Sequence, residues 1–211
     1  MLRDWYAQFE EGYEPVQVRA TYYPIDWKSK IGNSDMAENF KCPHGDVVIV
    51  KGDIIVNEAG EPLMLNWKVS NHINNQASQA VICNEYLSFE RRVPEETDSY
   101  GYVIREAHQE NILDHLPVNI TPYAGRPDYT TANNTPGIVA DSLYVCQLQL
   151  NSYSARLRVN DECVYGHERY RIINIDWSET NIEQDRGILN LNLRRVGGGT
   201  DYGSEDPAAN I

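Results

Sequence analysis

Apolar and polar side chains alternate along much of this chain. Val16, Val18 and Ala20 are separated by Gln17 and Arg19, and Tyr144, Cys146, Leu148 and Leu150 interleave with Gln147 and Gln149. Leu157 and Val159 sit between Arg156, Arg158 and Asn160. Tyr170, Ile172 and Asn174 alternate with Arg171, Ile173 and Ile175, and Leu189, Leu191 and Leu193 with Asn190, Asn192 and Arg194. A period of two predicts strands with one buried face, as in antiparallel sheets. The β-branched runs Val47-Val48-Ile49-Val50 and Ile54-Ile55-Val56, broken at Gly52, add two further strands. Gly45-Asp46, Ala59-Gly60-Glu61-Pro62 and Arg186-Gly187 supply turn chemistry. Residues 24–40 and 122–141, rich in Pro, Gly, Asn and Thr, read as exposed excursions.

Two stretches follow a helical period instead. Leu2, Trp5, Tyr6 and Phe9 predict a short N-terminal amphipathic helix. Ile104, Ala107, Ile112, Leu113 and Leu116 predict a second helix over 104–116 that stops before Pro117. Such stripes serve either to dock the helices on their own sheets or to meet another chain.

The strand-rich blocks look like two copies of one unit. Pro15-Val16-Gln17-Val18 matches Pro117-Val118-Asn119-Ile120 at their starts, and residues 87–93, LSFERRV, match 191–196, LNLRRV, at their ends. Between them, adding 108 to Asp53, Val56, Leu65, Asn66, Ser70 and Gln76 lands on Asp161, Val164, Ile173, Asn174, Ser178 and Gln184. Self-similarity at a long period marks a fold built from a repeated unit. The expected fold is therefore mainly β: two tandem small antiparallel barrels or sandwiches joined by a short helix. The boundaries read as an N-terminal helical arm at 1–14, a first unit at 15–94, an acidic helical linker at 95–116, a second unit at 117–196 and a flexible tail at 197–211.

Charge sharpens this division. The 211 residues carry a formal net charge of −13. Residues 15–93 and 117–196 hold −1 each, whereas 1–14 hold −3, 94–116 hold −5 and the tail holds −3. So large an acidic excess argues against a free-standing nucleic-acid binder, which needs clustered Lys and Arg. No apolar run approaches the roughly 20 residues that span a bilayer, so no membrane association is expected. The first residues, MLRDWYAQFEEGYE, lack the apolar core of a secretory leader.

Catalytic chemistry is not legible. Cys42, Cys83, Cys146 and Cys163 form no CxxC pair, and Cys42-Pro43-His44 offers two ligands where a metal site needs more. The five histidines include no HExxH arrangement, no serine occupies a GxSxG elbow, and the Gly197-Gly198-Gly199 run has no following lysine. The expectation is a non-enzyme without metal or cofactor. The paired arginines Arg91-Arg92 and Arg194-Arg195 read as strand-end salt bridges or as partner contacts. Trp5, Tyr6 and Phe9 are the aromatic candidates for a partner interface.

The second block has the form Asp161, an apolar pair, Gly166-His167-Glu168-Arg169-Tyr170-Arg171-Ile172-Ile173-Asn174-Ile175-Asp176, a polar loop, then Gly187-Ile188-Leu189-Asn190-Leu191. This pattern resembles the small β-barrel proteins of the head–tail connector of tailed bacteriophages, the head-closure, stopper or neck proteins. The resemblance covers about 80 residues of the second unit and touches the first faintly. It implies a structural virion protein, made in the host cytoplasm, that assembles as a homo-oligomeric ring between portal or adaptor and tail. Such a ring closes the capsid exit, docks the tail and lets packaged DNA pass without sequence-specific binding. Acidic residues facing the channel would repel phosphate. Two other classes are weighed against it. One is a two-barrel OB-like module for single-stranded nucleic acid or carbohydrate, built on aromatic platforms. The other is a cell-wall hydrolase, for which no paired catalytic groups are evident.

Overall fold

A computed structural model describes residues 4–24, 37–43, 47–122, 143–181 and 186–196. The Gly45-Asp46 turn, Gln184, the tail from Gly197 and most of the two expected excursions lie outside the described residues. The described chain is mainly β. Its strands are β1 Thr21–Pro24, β2 Ala37–Pro43, β3 Ile54–Val56, β4 Pro62–Leu65, β5 Ser70–Asn71, β6 Asn75–Ile82, β7 Glu85–Val93, β8 Glu96–Thr97, β9 Val103–Arg105, β10 His108–Pro122, β11 Leu143–Gln149, β12 Glu162–Tyr165, β13 Glu168–Asp176, β14 Thr180–Asn181 and β15 Arg186–Arg195.

The described strands form one closed barrel, one curled open sheet and a two-stranded ribbon of β8 and β9. The barrel runs β11-β10-β7-β12-β13-β15, and β15 returns to β11 along seven residue pairs from Leu143↔Arg194 to Gln149↔Ile188. Closure removes both sheet edges. The open sheet runs β1-β2-β6-β4-β3, with β5 on β6. Each encloses its own core. Leu87, Phe89, Leu116, Val118, Cys146, Leu148, Ile172, Leu189, Leu191 and Leu193 fill the barrel, as the alternation of β11 and β15 predicts. Phe40, Cys42, Ile49, Leu63, Leu65 and Ala80 line the open sheet.

Strand by strand, β1-β2-β6-β4-β3 has the same order and pairing as β10-β11-β15-β13-β12, and β5 lies on β6 as β14 lies on β15. The entry to β3 and the entry to β12 are also built alike. Asp53 accepts the Val50 amide and Asp161 the Arg158 amide, at 2.9 and 2.8 Å. The Asp53 and Asp161 carbonyls accept the amides of Leu65 and Ile172, and the preceding residues, Gly52 and Asn160, donate their own amides to the carbonyls of Leu65 and Ile172. Both preceding residues have positive φ, 93° and 78°. Asp161 captures the Arg158 amide by folding the chain back, so Leu157-Arg158-Val159, expected as a strand, is a turn.

Superposing the ladders corrects the register read from the sequence. The offset of 108 holds for Asp53 and Val56, but the counterpart of Leu65 is buried Ile172 rather than half-exposed Ile173. The β12–β13 connection is a two-residue hairpin, Gly166-His167, both at positive φ, where β3–β4 uses the longer 57–61 turn. The match of 87–93 with 191–196 also fails. The counterpart of β15 is β6, and β7 belongs to the barrel.

The expected linker helix over 104–116 is absent; this segment is β9 and most of β10. The helical spacing has a different cause. The β10–β7 ladder slips between Asn111 and Leu113 and again between Leu113 and Leu116, and His115 takes a φ of 50°. Each bulge inserts an extra residue, so Ile112, Leu113 and Leu116 all reach the barrel core while Ile104 and Ala107 stay exposed. The N-terminal helix shrinks to one 3-10 turn, Tyr6–Phe9. Arg186-Gly187, expected as a turn, opens β15.

The barrel and the open sheet meet at a tight joint. A Cβ on Gly52 would overlap the Gly187 carbonyl oxygen, and one on Gly187 would overlap the Glu179 carbonyl oxygen, both glycines being at positive φ. Gln149 Nε2 donates to the Gly52 carbonyl at 2.8 Å, Lys51 pairs with Glu179 at 2.9 Å, and Asn119 Nδ2 donates to the Ile82 carbonyl at 2.9 Å. Met64, Val81 and Cys83 pack on Ile188 across the joint.

Candidate functional site

An open groove of about 760 Å³ lies on the barrel wall, where β7, β10, β12 and β13 meet the turn before β12. Alternation along β13 turns Arg169 and Arg171 outward into it, Arg91 enters it from the inward row of β7 beyond buried Leu87 and Phe89, and Arg92 and Arg158 complete its basic lining. Asp161 and Glu162 are its carboxylates. A chain of net −13 thus gathers five arginines in one place.

Two carboxylates organise the groove. Asp161, almost wholly buried, takes two bonds from Arg91, Nε to Oδ1 at 2.7 Å and Nη2 to Oδ2 at 2.8 Å. A fork matched to a carboxylate is strong and directional. Arg91 Nη2 also donates to the Arg156 carbonyl. The hydrogen bond to Asp161 raises the Arg91 pKa further, against the opposing effect of burial. Glu162 takes Arg171 at 2.8 Å and Arg169 at 3.2 Å. Arg91 is thereby a fixed structural group, whereas Arg92 and Arg158 line the groove beside it.

The other candidates lie elsewhere. Trp5 is buried against the barrel core; its amide donates to Gln149 Oε1 at 2.8 Å and its indole Nε1–H to the His115 carbonyl at 3.2 Å. The Tyr6 hydroxyl donates to the Asp114 carbonyl at 2.6 Å, and its ring lies 4.6 Å from that of Tyr153. Burial pushes the Tyr6 phenol up to about 12. These two aromatics dock the arm on its own barrel. Phe9 is 70% exposed and meets only the edge of Trp5 among the described ring contacts. Arg194 and Arg195 end β15, exposed, with Arg195 paired to Glu168. The two arginine pairs therefore occupy unlike places.

All four cysteines are buried free thiols. Burial raises the pKa of each, to about 12 at Cys83 and Cys163. Among the described residues, no group of three or more His, Cys, Asp or Glu side chains could hold a metal ion, and no helix is long and apolar enough to cross a membrane. Sequence reasoning missed the groove because Arg158, Arg169 and Arg171 come from separate segments. The outward positions of β13 were the available signal. No family model, curated protein or solved structure matches the chain.

Proposed function

We propose that this chain is a structural component of a tailed-phage neck, a duplicated two-unit β protein that assembles as a ring between portal or adaptor and tail. It works by assembly, without catalysis, closing the capsid exit and docking the tail in the virion. The observation that carries this reading is the shared strand order of barrel and open sheet, with β7 leaving one and completing the other. A chain that hands a strand from unit to unit suits a scaffold in which barrels are joined edge to edge. The glycine-packed joint supports a stiff spacer, and the Gly166-His167 hairpin motif carries the resemblance to neck proteins. Phe9 and the exposed β15 end with Arg194 are the surfaces offered to portal, adaptor or tail. Incubating the chain with portal rings of the phage that encodes it, followed by native mass spectrometry, tests the assignment. Stable complexes with several copies per portal are expected; a chain that stays monomeric and ignores the portal contradicts it.

The arginine groove gives the OB-like alternative a specific footing, since five guanidinium groups on a barrel face could meet phosphates. Asp161 and Glu162 already engage three of them, which favours the neck reading. A gel shift with single-stranded DNA separates the two: the neck reading expects no complex at moderate salt, and a complex with a steep salt dependence would favour the alternative.

A further inference from the structure

The barrel is closed by β7, which sits between β10 and β12 and pairs with both. Among the described residues, the open sheet has no strand at the corresponding place. Its outer strands among the described residues are β1 and β3. A pocket of about 120 Å³ lies between them, walled by Val18, Ala20, Ile55, Val56 and Leu63. Ladder equivalence places Ala20 where Val118 stands in β10, and Ile55 where Cys163 stands in β12. In the barrel, Val118 faces Glu85 of β7 and Cys163 faces Phe89. The segment 17–20, counterpart of a paired stretch of β10, belongs to no strand. An open pair of sheet edges is a template for an added strand.

The chain also indicates what fills the slot. β7 follows β6 after a two-residue link, Cys83-Asn84, in which the Cys83 amide donates to the Pro62 carbonyl. The counterpart bond in the barrel runs from the Val196 amide to the Arg169 carbonyl. Continuing in step, Thr200 falls at the position of Leu87, Tyr202 at that of Phe89 and Pro207 at that of Pro94. Leu87 and Phe89 are the buried positions of β7. Residues 197–211 outnumber the nine of β7.

The segment after a unit serves the next unit, not its own. β15 starts at the joint, with Gly187 against Gly52, and runs away from it. Eight steps along a strand carry Arg195 about 26 Å from the joint, whereas the six residues from Val196 to Tyr202 reach at most about 21 Å. We infer that residues 197–207 of one copy add as a strand between β1 and β3 of a second copy, with Tyr202 against Ile55. This contact is head-to-tail, so it generates a ring where the rotation closes and a filament where it does not.

Cross-linking the full chain tests this. Chains carrying both Ile55→Cys and Tyr202→Cys are expected to give a ladder of disulfide-linked multimers on mild oxidation, and either substitution alone none. Mixing the two single variants should give a cross-linked dimer. A disulfide confined within one chain, or no disulfide in a variant that keeps its β circular dichroism, overturns the inference. Tyr202→Asp is expected to shift native mass spectra toward monomer; an unchanged multimer distribution would also overturn it. The outcome is separable from the neck assignment. A chain that polymerises through this slot but ignores portal rings keeps this inference and loses that assignment.

Discussion

Asp161 is the residue on which the barrel wall depends most. It holds the Arg91 fork, the Arg158 amide and the entry to β12 while nearly inaccessible to water. Asp161→Ala leaves Arg91 without its carboxylate and should cost about 3–5 kcal/mol, read as a lowered urea midpoint. Arg194→Ala, at an exposed strand end, should stay within about 0.5 kcal/mol. A second residue-scale prediction concerns the joint. Gly52→Ala sets a methyl against the Gly187 carbonyl at a φ that disfavours side chains, and should cost about 2–4 kcal/mol. A third concerns alkaline pH. Burial raises Cys83 and Cys163 from 9.0 to about 12, and burial with the Glu168 hydrogen bond raises Tyr170 from 10.0 to about 12. Folded-state values above unfolded ones mean these groups stabilise the fold fully below pH 9 and lose that contribution as pH rises from 9 toward 12. Denaturant midpoints should therefore fall steadily over that window; a flat profile would contradict the burial assigned to these groups.

At the scale of elements, how legible the sequence was depended on whether one strand's periodicity survived its pairing. β11 and β15 pair without a slip, and Cys146, Leu148, Leu189, Leu191 and Leu193 are buried as the pattern predicts, joined near the joint by Gln149 and Ile188. β10 does not pair so with β7. Two bulges displace its inward residues into helical spacing, and no local signal separates such a bulged strand from a short helix. Asp53 and Asp161 correspond in sequence and in structure because the same turn needs the same carboxylate. The match of 87–93 with 191–196 fails because β7 follows β6 in sequence yet joins the other sheet, a partnership of long range, and the match of Val16 with Val118 fails because the ladders set Ala20 there instead. The groove arginines are scattered for the same reason. The arm supplies the element-scale prediction: Trp5→Ala removes a buried ring and two hydrogen bonds, and should cost about 3 kcal/mol. The arm should then become the first site of proteolysis.

For the whole molecule, the net charge of −13 resolves into a basic groove set within an acidic chain. The acidic 94–116 stretch is strand and turn rather than a projecting helix, and Glu110 on β10 lies opposite Arg91 on β7. Part of that acidity therefore meets basic side chains of its own barrel. Among the described residues one strand order occurs twice, closed once by β7 and open once between β1 and β3. Electron microscopy of portal-bearing tailed-phage capsids, with and without the chain added, tests the proposed neck role most directly. The account predicts a ring of density below the portal, in which each copy contributes a closed barrel and a second barrel completed by its neighbour. Capsids that gain no density, with the chain monomeric in solution, would contradict it.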